Sequence, residues 1–248
     1  MRQFGLIGRT LRHSFSQTYF SQKFYSLDLA EHRYDLFELA HISELPPLLA
    51  TNPDLVGLNV TIPYKESVVP YLDDLAPSAR RVGAVNVIER RPDGQLIGHN
   101  TDVTGFRESL RRFFPVPPEA RALVLGAGGA AKAVAAGLGD LGIAHWSVTR
   151  DPLSQGLTYD DLTPQLVAAH PLIINATPLG TFPHVDECPR LPYAALTGQH
   201  YLYDLVYNPT ETLFMERGKE AGAHVKNGFE MLCLQAEAAW DIWQASGR

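Results

Sequence analysis

The sequence has only two cysteines among its 248 residues, Cys188 and Cys233. Two isolated cysteines supply neither a disulfide framework nor the ligand spacing of a metal site, and they fit a reduced, cytosolic compartment best. Basic residues are in the minority, since 21 Lys and Arg against 27 Asp and Glu give a net charge of −6. Without a basic stripe, the chain lacks the electrostatic footprint of a protein that binds nucleic acid or an anionic membrane surface.

Long apolar segments are missing as well. The chain runs from Met1 straight into a strand-like segment, without the apolar region of a signal peptide, and no apolar run approaches membrane-spanning length. We therefore expect a soluble, intracellular protein. With 45% hydrophobic and 19% charged residues the composition is that of a globular chain, and its length divides naturally into two domains.

The clearest motif is the segment 121–138, RALVLGAGGAAKAVAAGL. A short apolar strand breaks into glycines and alanines, and an alanine-rich helix begins near Gly129. In this setting Gly126 permits a tight turn, Gly128 lets the backbone approach a pyrophosphate, and the helix N-terminus faces the anion. The motif predicts dinucleotide binding; the alternative is a plain tight turn between a strand and a helix.

Strands and helices alternate along the chain, which predicts mostly parallel sheets. Strands are predicted at 4–8, 32–39, 55–62, 84–90, 96–99, 122–125, 145–149, 172–176, 201–206 and 224–226. Helices are predicted at 17–30, 42–50, 64–72, 102–114, 129–138, 159–169, 212–221 and 229–244. A domain boundary is expected near the prolines at 115, 117 and 118. Only eight residues separate Arg150 from Tyr159, too few for the helix and strand that usually follow, so the nucleotide half is expected to be trimmed.

Lys65 and Asp102 are the candidate reacting groups. Lys65 lies in GLNVTIPYK, in the first turn of a predicted helix, where the positive helix end and desolvation would ease the loss of its proton. A solvated lysine that reaches away from the helix explains the position equally well. Asp102, in HNTD, has a complete explanation as a carboxylate that caps a helix, and it could also orient a lysine across a cleft.

Ser14 and Ser16 lie two apart in HSFS, so an extended backbone would point both hydroxyls the same way, toward a carboxylate. Ser16 could equally cap a helix that begins at Gln17. His13 alone indicates little. Four more polar residues lie at or near strand ends, where α/β proteins place ligand groups and where turn-forming asparagines also occur: Asn59, Thr61, Asn86 and Asn100.

The strand after the loop helix ends in Thr149-Arg150, where an acidic residue would bind the ribose of NAD. An arginine there can stack on adenine and pair with a 2′-phosphate, which favours NADP. Asp151 opposes this, because its carboxylate would repel the phosphate unless it turned away. NATPLG at 175–180 ends a buried strand, so its backbone could face the cofactor or could form an ordinary turn.

Taken together and in order, several blocks resemble the shikimate dehydrogenase family over essentially the whole chain. They are HSFS at 13–16, GLNVTIPYK at 57–65, GAVNV at 83–87, GHNTD at 98–102, GAGGAAKAV at 126–134, NATPLG at 175–180, YDLVYNP at 203–209 and NGFEMLCLQA at 227–236. The resemblance implies an α/β fold of two domains with a cleft between them. The N-terminal substrate domain, with a mostly parallel sheet, would span 1–102 and be completed by a C-terminal helix, 229–248. A Rossmann-like NADP-binding domain would span 103–228.

The same resemblance implies the site residues. Lys65 and Asp102 would be the catalytic pair, with Ser14 and Ser16 on the substrate carboxylate. The ring hydroxyls would be held by Thr61, Asn86, Tyr207 and Gln235, with Asn59 and Asn100 also in the cleft. The NADP groove would be lined by Gly126, Ala127, Gly128, Gly129, Ala130, Thr149, Arg150, Ala176, Thr177, Leu205 and Gly228. No metal ion is implied.

The implied reaction is the reversible, NADPH-dependent reduction of 3-dehydroshikimate to shikimate in aromatic amino-acid biosynthesis, by a monomer or a homodimer. The chain departs from the family at Thr10 and Gln17, where prolines are usual. In the adenosine block only Arg150 matches, since Thr149, Asp151 and Ser154 replace the usual residues. An NAD-using quinate/shikimate dehydrogenase therefore stays open. A non-catalytic dinucleotide-binding sensor is the more distant alternative.

Overall fold

The computed structural model describes residues 1–11, 14–151 and 156–245, so His13 and Ser154 lie outside the described residues. The chain divides into two units, Met1–Thr101 with Ala236–Arg248, and Asp102–Gln235. The domain limits that the family resemblance implies stay a prediction. In the described ranges, no helix combines the length and the apolar character that a membrane crossing requires.

The strands are β1 (Arg2–Gly8), β2 (His32–Glu38), β3 (Leu55–Val60), β4 (Asp74–Leu75), β5 (Val87–Arg90), β6 (Leu96–His99), β7 (Arg121–Leu125), β8 (Ala144–Thr149), β9 (Leu157–Thr158), β10 (Leu172–Asn175), β11 (Tyr201–Asp204) and β12 (His224–Lys226). The α-helices are α1 (Phe15–Ser26), α2 (Leu45–Thr51), α3 (Tyr64–Ser67), α4 (Pro77–Val82), α5 (Asp102–Phe113), α6 (Gly129–Asp140), α7 (Pro164–Ala168), α8 (Leu213–Glu220) and α9 (Phe229–Ala245).

The sheet of the first unit has the order β2-β1-β3-β5-β6-β4. Strand β1 is parallel to β2 and to β3, whereas β5 is antiparallel to both β3 and β6. The reversal of β5 brings its first residue, Val87, beside Asn59 near the end of β3 and beside His99 at the end of β6. The segments that follow β3 and β6 and precede β5 therefore share one edge of the sheet.

The C-terminal half of α9 packs on this first sheet. Trp243 is fully buried, and its ring centroid lies 5.0 Å from that of Phe4 and 5.4 Å from that of Phe20. Its Nε1 donates to the carbonyl oxygen of Ile88 at 3.1 Å. Strand β3 has Gly57 opposite this indole, because a Cβ there would overlap it. The final helix thus fills one face of the first unit's core.

The second sheet has the order β12-β11-β10-β7-β8-β9 and is parallel throughout. Numbered from β7, this is the strand order 6-5-4-1-2-3 of a Rossmann sheet, with its topological switch point between β7 and β10. The segment after Arg150, expected to be too short for the usual helix and strand together, does hold a strand. Leu157 and Thr158 form β9 beside Val148 and Thr149, because a strand of two residues needs very little chain.

The helix predictions for α1 and for the segment 159–169 need correction. Helix α1 begins at Phe15 rather than Gln17, and it ends at Ser26, two residues before Asp28 takes a left-handed φ of 52°. The segment 159–169 is not one helix but a 3₁₀ turn followed by α7, since a new helix begins at a proline with Thr163 as its N-cap. Strand β4 and helix α4 were not predicted.

In the second unit, a polar cluster joins α5 to the start of α9. Glu230 accepts hydrogen bonds from Lys226, from Arg112 Nη1 at 2.8 Å and from Ser109 Oγ at 2.9 Å. The hydroxyl of Tyr203 donates to Ser109 Oγ at 2.8 Å. Burial alone would raise the pKa of the Glu230 carboxyl, but these three donors outweigh it and lower the pKa to about 2.

Candidate functional site

Asn86 organises the strand edge of the first unit. Its side chain is buried, donates from Nδ2 to Thr101 Oγ1 at 2.9 Å and accepts from the Thr101 backbone N–H at 2.7 Å. Its own backbone accepts from Val60 and donates to His99. Asn100, next to Thr101, donates from Nδ2 to the carbonyl of Ala84 at 3.0 Å. Both asparagines therefore join the segment that precedes β5 to the segment that follows β6, and their predicted role toward a ligand stays a prediction.

Lys65 lies on a short helix, α3, whose position is fixed by hydrogen bonds from its own residues and from the residues before it. The N–H of Thr61 donates to Ile7 at 2.9 Å as β3 ends, and α3 follows at once. Tyr64 is buried, and its hydroxyl donates to the carbonyl of Leu39 at 2.5 Å. The carbonyl of Lys65 itself accepts from Val85 at 2.7 Å. Lys65 is half-buried rather than fully solvated, and its catalytic role stays a prediction.

The two serines differ in geometry from the prediction. Ser14 is the N-cap of α1 with an extended backbone, but its side chain makes no capping hydrogen bond. Ser16 lies within the first turn of α1, so the extended arrangement predicted for both serines is wrong, and so is the alternative that Ser16 caps a helix beginning at Gln17. Among the described residues Ser14 Oγ is buried and has no hydrogen-bond partner. A buried hydroxyl without a partner costs about 1–3 kcal/mol, so a bound ligand would relieve this cost.

Ser16 lies near Tyr34, a residue that the sequence analysis did not single out. The hydroxyl of Tyr34 lies near that of Ser16 and donates to Asn59 Oδ1 at 2.6 Å. Tyr34 is buried, and burial raises the pKa of its hydroxyl. Since Tyr34 gives its only proton to Asn59, its hydroxyl can act toward Ser16 only as an acceptor.

The remaining predicted substrate residues belong to the second unit. Asp102 is buried and is the first residue of α5, as predicted from HNTD. Gln235 is buried on α9, where its Nε2 donates to the carbonyl of Leu232 at 2.9 Å. Tyr207 follows β11, and partial burial raises the pKa of its hydroxyl. That Asp102, Gln235 and Tyr207 form one site with the predicted residues of the first unit stays a prediction.

The glycine-rich loop has the geometry that a pyrophosphate needs. Gly126 has a φ of +119°, and a Cβ there would lie 3.1 Å from the carbonyl oxygen of Ala176. Gly128 is the N-cap of α6, no side chain caps the helix there, and no atom of the described residues lies within 4 Å of a Cβ built on it. The first N–H groups of α6, from Gly129 and Ala130 onward, have no partner within the helix. The loop therefore fits a dinucleotide phosphate.

The loops that follow β7, β10 and β11 are joined by backbone hydrogen bonds at the switch point. The N–H of Ala176 donates to Leu125, and that of Leu205 donates to Asn175, both at 2.9 Å. Gly228 packs so tightly that a Cβ would overlap the carbonyl of Leu205. The predicted groove residues of these three loops thus adjoin one another.

The adenosine side of the predicted groove lies at the end of β8. Thr149 is buried and donates from Oγ1 to the carbonyl of Asp151 at 3.0 Å, whereas Arg150 is exposed. Tyr159 is a neighbour that the sequence did not single out. Burial raises the pKa of its hydroxyl, and the positive charge of Arg150 opposes that rise.

Two further features lie apart from the predicted residues. Over 1–11, 14–151 and 156–245, no group of three or more His, Cys, Asp or Glu side chains is placed to hold a metal ion. A cavity of about 390 Å³ in the first unit contains none of the predicted site residues. It is lined by Glu89, Arg91, Pro92, His99, Ile242 and Ala245.

A parallel sheet of this order, with a glycine turn and an uncapped helix N-terminus at its switch point, defines a dinucleotide-binding α/β protein. The family model for the shikimate dehydrogenase substrate binding domain matches residues 6–88. A shikimate dehydrogenase (NADP(+)) from Desulforamulus reducens is 37% identical over 262 residues, which cover 96% of this chain and 88% of that protein. The chain belongs to the shikimate dehydrogenase family.

Solved structures of the family share the fold. Shikimate 5-dehydrogenase from Thermus thermophilus, in complex with NADP(H) and shikimate, matches with a TM-score of 0.87 and 32% identity, over 99% of this chain and 94% of that one. Quinate dehydrogenase from Corynebacterium glutamicum, in complex with NAD, matches with a TM-score of 0.87 and 27% identity, over 98% and 94% of the two chains. The prediction of an α/β fold with two mostly parallel sheets is confirmed.

Proposed function

We propose that the chain is an NADP-dependent oxidoreductase that reversibly reduces 3-dehydroshikimate to shikimate. The observation that carries the proposal is the match over 96% of the chain to a protein named shikimate dehydrogenase (NADP(+)). Two features of the site support it, the uncapped helix N-terminus at Gly128 and the buried, unpartnered hydroxyl of Ser14. The enzyme would act in the cytoplasm on a small molecule, as a monomer or a homodimer.

In the proposed reaction Lys65 gives a proton to the oxygen on C3 of the substrate, and Asp102 orients the lysine. NADPH, when bound, supplies the hydride to the same carbon, so the keto group becomes an alcohol. A protonated lysine also stabilises the negative charge that develops on that oxygen. Ser14 and Ser16 would bind the substrate carboxylate.

The other roles follow the same proposal. The ring hydroxyls are assigned to Thr61, Asn86, Tyr207 and Gln235. The cofactor is assigned to the glycine-rich loop, to the ends of β8, β10 and β11, and to the start of α9: Gly126, Ala127, Gly128, Gly129, Ala130, Thr149, Arg150, Ala176, Thr177, Leu205 and Gly228. Arg150 would pair with the 2′-phosphate that distinguishes NADP from NAD.

A second candidate is a quinate/shikimate dehydrogenase that uses NAD. Asp151 favours it, because a carboxylate beside Arg150 opposes binding of a 2′-phosphate. Similarity to the NAD complex of quinate dehydrogenase also favours it. The ratio of kcat/KM for NADPH and NADH separates the two candidates.

The test of the proposed chemistry is Lys65→Ala. General acid–base help is worth about 10²–10⁴ in rate, so kcat should fall by that factor while the Kd for NADP stays nearly the same. Lys219→Ala is the matched control, since that lysine is half exposed and pairs with Glu211. A Lys65→Ala enzyme with nearly full turnover would show that Lys65 is not the acid.

A further inference from the structure

We propose that Asp204 is a positioning residue for the cofactor: together with Asn175 it fixes the two loops that follow β10 and β11 in the shape that receives the dinucleotide. The identity of the cofactor rests on the proposed function. The geometry that leads to Asp204 lies wholly within the second unit.

Both side chains are completely buried at the carboxyl ends of adjacent parallel strands. Asn175 ends β10 and Asp204 ends β11, and the two residues are partners in the sheet register. Asn175 Nδ2 donates to Asp204 Oδ1 at 2.9 Å. A carboxylate and an amide therefore face each other at the ends of β10 and β11, away from solvent.

Each of the two side chains holds the loop that follows its own strand. Asn175 Oδ1 accepts from the Thr177 backbone N–H at 3.0 Å and from Thr177 Oγ1 at 2.6 Å. Asp204 Oδ1 accepts from the Val206 backbone N–H at 3.0 Å, and its Oδ2 accepts from Thr212 Oγ1 at 2.6 Å. The backbone of both loops is thus fastened to one buried pair.

The donor and acceptor pattern accounts for the acidic residue. The Asn175 oxygen is occupied by Thr177, so its amino group must face Asp204, with the carbonyl of Leu179 as a further acceptor at 3.3 Å. The three groups that hydrogen-bond to Asp204, from Asn175, Val206 and Thr212, are then all donors. Only a side chain with two acceptor oxygens, such as a carboxylate, can accept from all three. Burial raises the pKa of the Asp204 carboxyl to about 6, while its three donors favour the ionised form that accepts them.

Loss of this pair should weaken binding of the nucleotide and leave binding of the substrate carboxylate unchanged. Ala176 and Thr177 follow Asn175 directly, and Leu205 lies between Asp204 and Val206. The serine pair proposed for the substrate belongs to the other unit, with no shared side chain. A positioning role therefore predicts a selective loss of NADP affinity.

The experiment compares Asp204→Ala, Asp204→Asn and Asn175→Ala with wild type in NADP titration by fluorescence and in steady-state kinetics. Asp204→Ala and Asn175→Ala should each raise the Kd for NADP by about tenfold, the factor that corresponds to about 1.4 kcal/mol, and Asn175→Ala should leave the KM for shikimate unchanged. Asp204→Asn should largely restore affinity, because its oxygen can still accept from Asn175 and Val206. Asp186→Ala, an exposed aspartate of the same unit, is the control.

The outcomes are distinguishable. If folded Asp204→Ala and Asn175→Ala bind NADP as wild type does and only melt earlier, the pair is merely structural and the inference is overturned. If Asp204→Ala does not fold, the test rests on Asn175→Ala, which leaves Asp204 with its donors Val206 and Thr212. Wild-type protein that neither binds NADP nor oxidises shikimate would overturn the proposed function itself.

Discussion

Tyr34→Phe removes a single oxygen from the centre of the first unit. The ring stays in place, since it stacks on Phe20 with centroids 4.8 Å apart and planes 10° apart. What disappears is the hydroxyl that donates to Asn59 Oδ1 at 2.6 Å and that also lies near the Ser16 hydroxyl. Asn59 is itself buried, so water cannot easily replace the lost partner.

The expected cost follows from that geometry. A buried polar group left without its partner costs about 1–3 kcal/mol, and the volume change is too small to add a cavity term. We therefore expect the free energy of unfolding in urea to fall by about 1–3 kcal/mol. The KM for shikimate should rise as well, because Tyr34 orients Asn59 and lies near Ser16, whereas the Kd for NADP should not change.

The control is Tyr25→Phe, which removes the same oxygen from a side chain that is 88% exposed. Exposed substitutions usually change stability by less than about 0.5 kcal/mol. If Tyr34→Phe were no more destabilising than Tyr25→Phe, the hydroxyl would not hold Asn59 as described. An unchanged KM for shikimate would separate Tyr34 from the carboxylate site.

Two further predictions concern the second unit. Gly228→Ala should raise the Kd for NADP and destabilise the fold by about 1–3 kcal/mol, because the new Cβ overlaps the backbone carbonyl of Leu205. Gly198→Ala, whose Cβ would meet its nearest atom at an ordinary 3.6 Å, should do neither; equal effects of the two in nucleotide titrations would contradict the argument. The hydrogen bonds to Glu230 overcome burial and lower its pKa from 4.5 to about 2, so its stabilising effect is complete above about pH 4.5 and is lost as the pH falls toward 2. The stability difference between wild type and Glu230→Gln should therefore shrink over that window in urea titrations, and a constant difference would be inconsistent with this linkage.

Elements with a strong local signal could be predicted from the sequence. The apolar run before Gly126 and the alanines after it gave the positions of β7 and α6 closely. The two prolines at 46 and 47 lie in the first turn of α2, where the absence of an N–H does no harm. The helix predicted over 64–72 ends at Ser67 and continues as a 3₁₀ turn with Pro70 in its first positions.

Features that depend on distant pairing could not be predicted. Strands β4 and β9 have two residues each and exist only because β6 and β8 provide partners. In the site, Lys65 and the serines could be found by residue type and spacing. Tyr34 and Asp204 could not, because their roles come from hydrogen bonds to residues 25 and 29 positions away. Only the folded sheets bring those partners together.

The most direct test of the proposed function is the initial rate of dinucleotide reduction by the wild-type protein, with shikimate or quinate and with NADP or NAD. The proposal predicts that kcat/KM is highest for shikimate with NADP and falls when either partner is exchanged. Preference for NAD or for quinate would support the second candidate. No turnover with any of the four combinations would contradict the assignment of an enzymatic function to this chain.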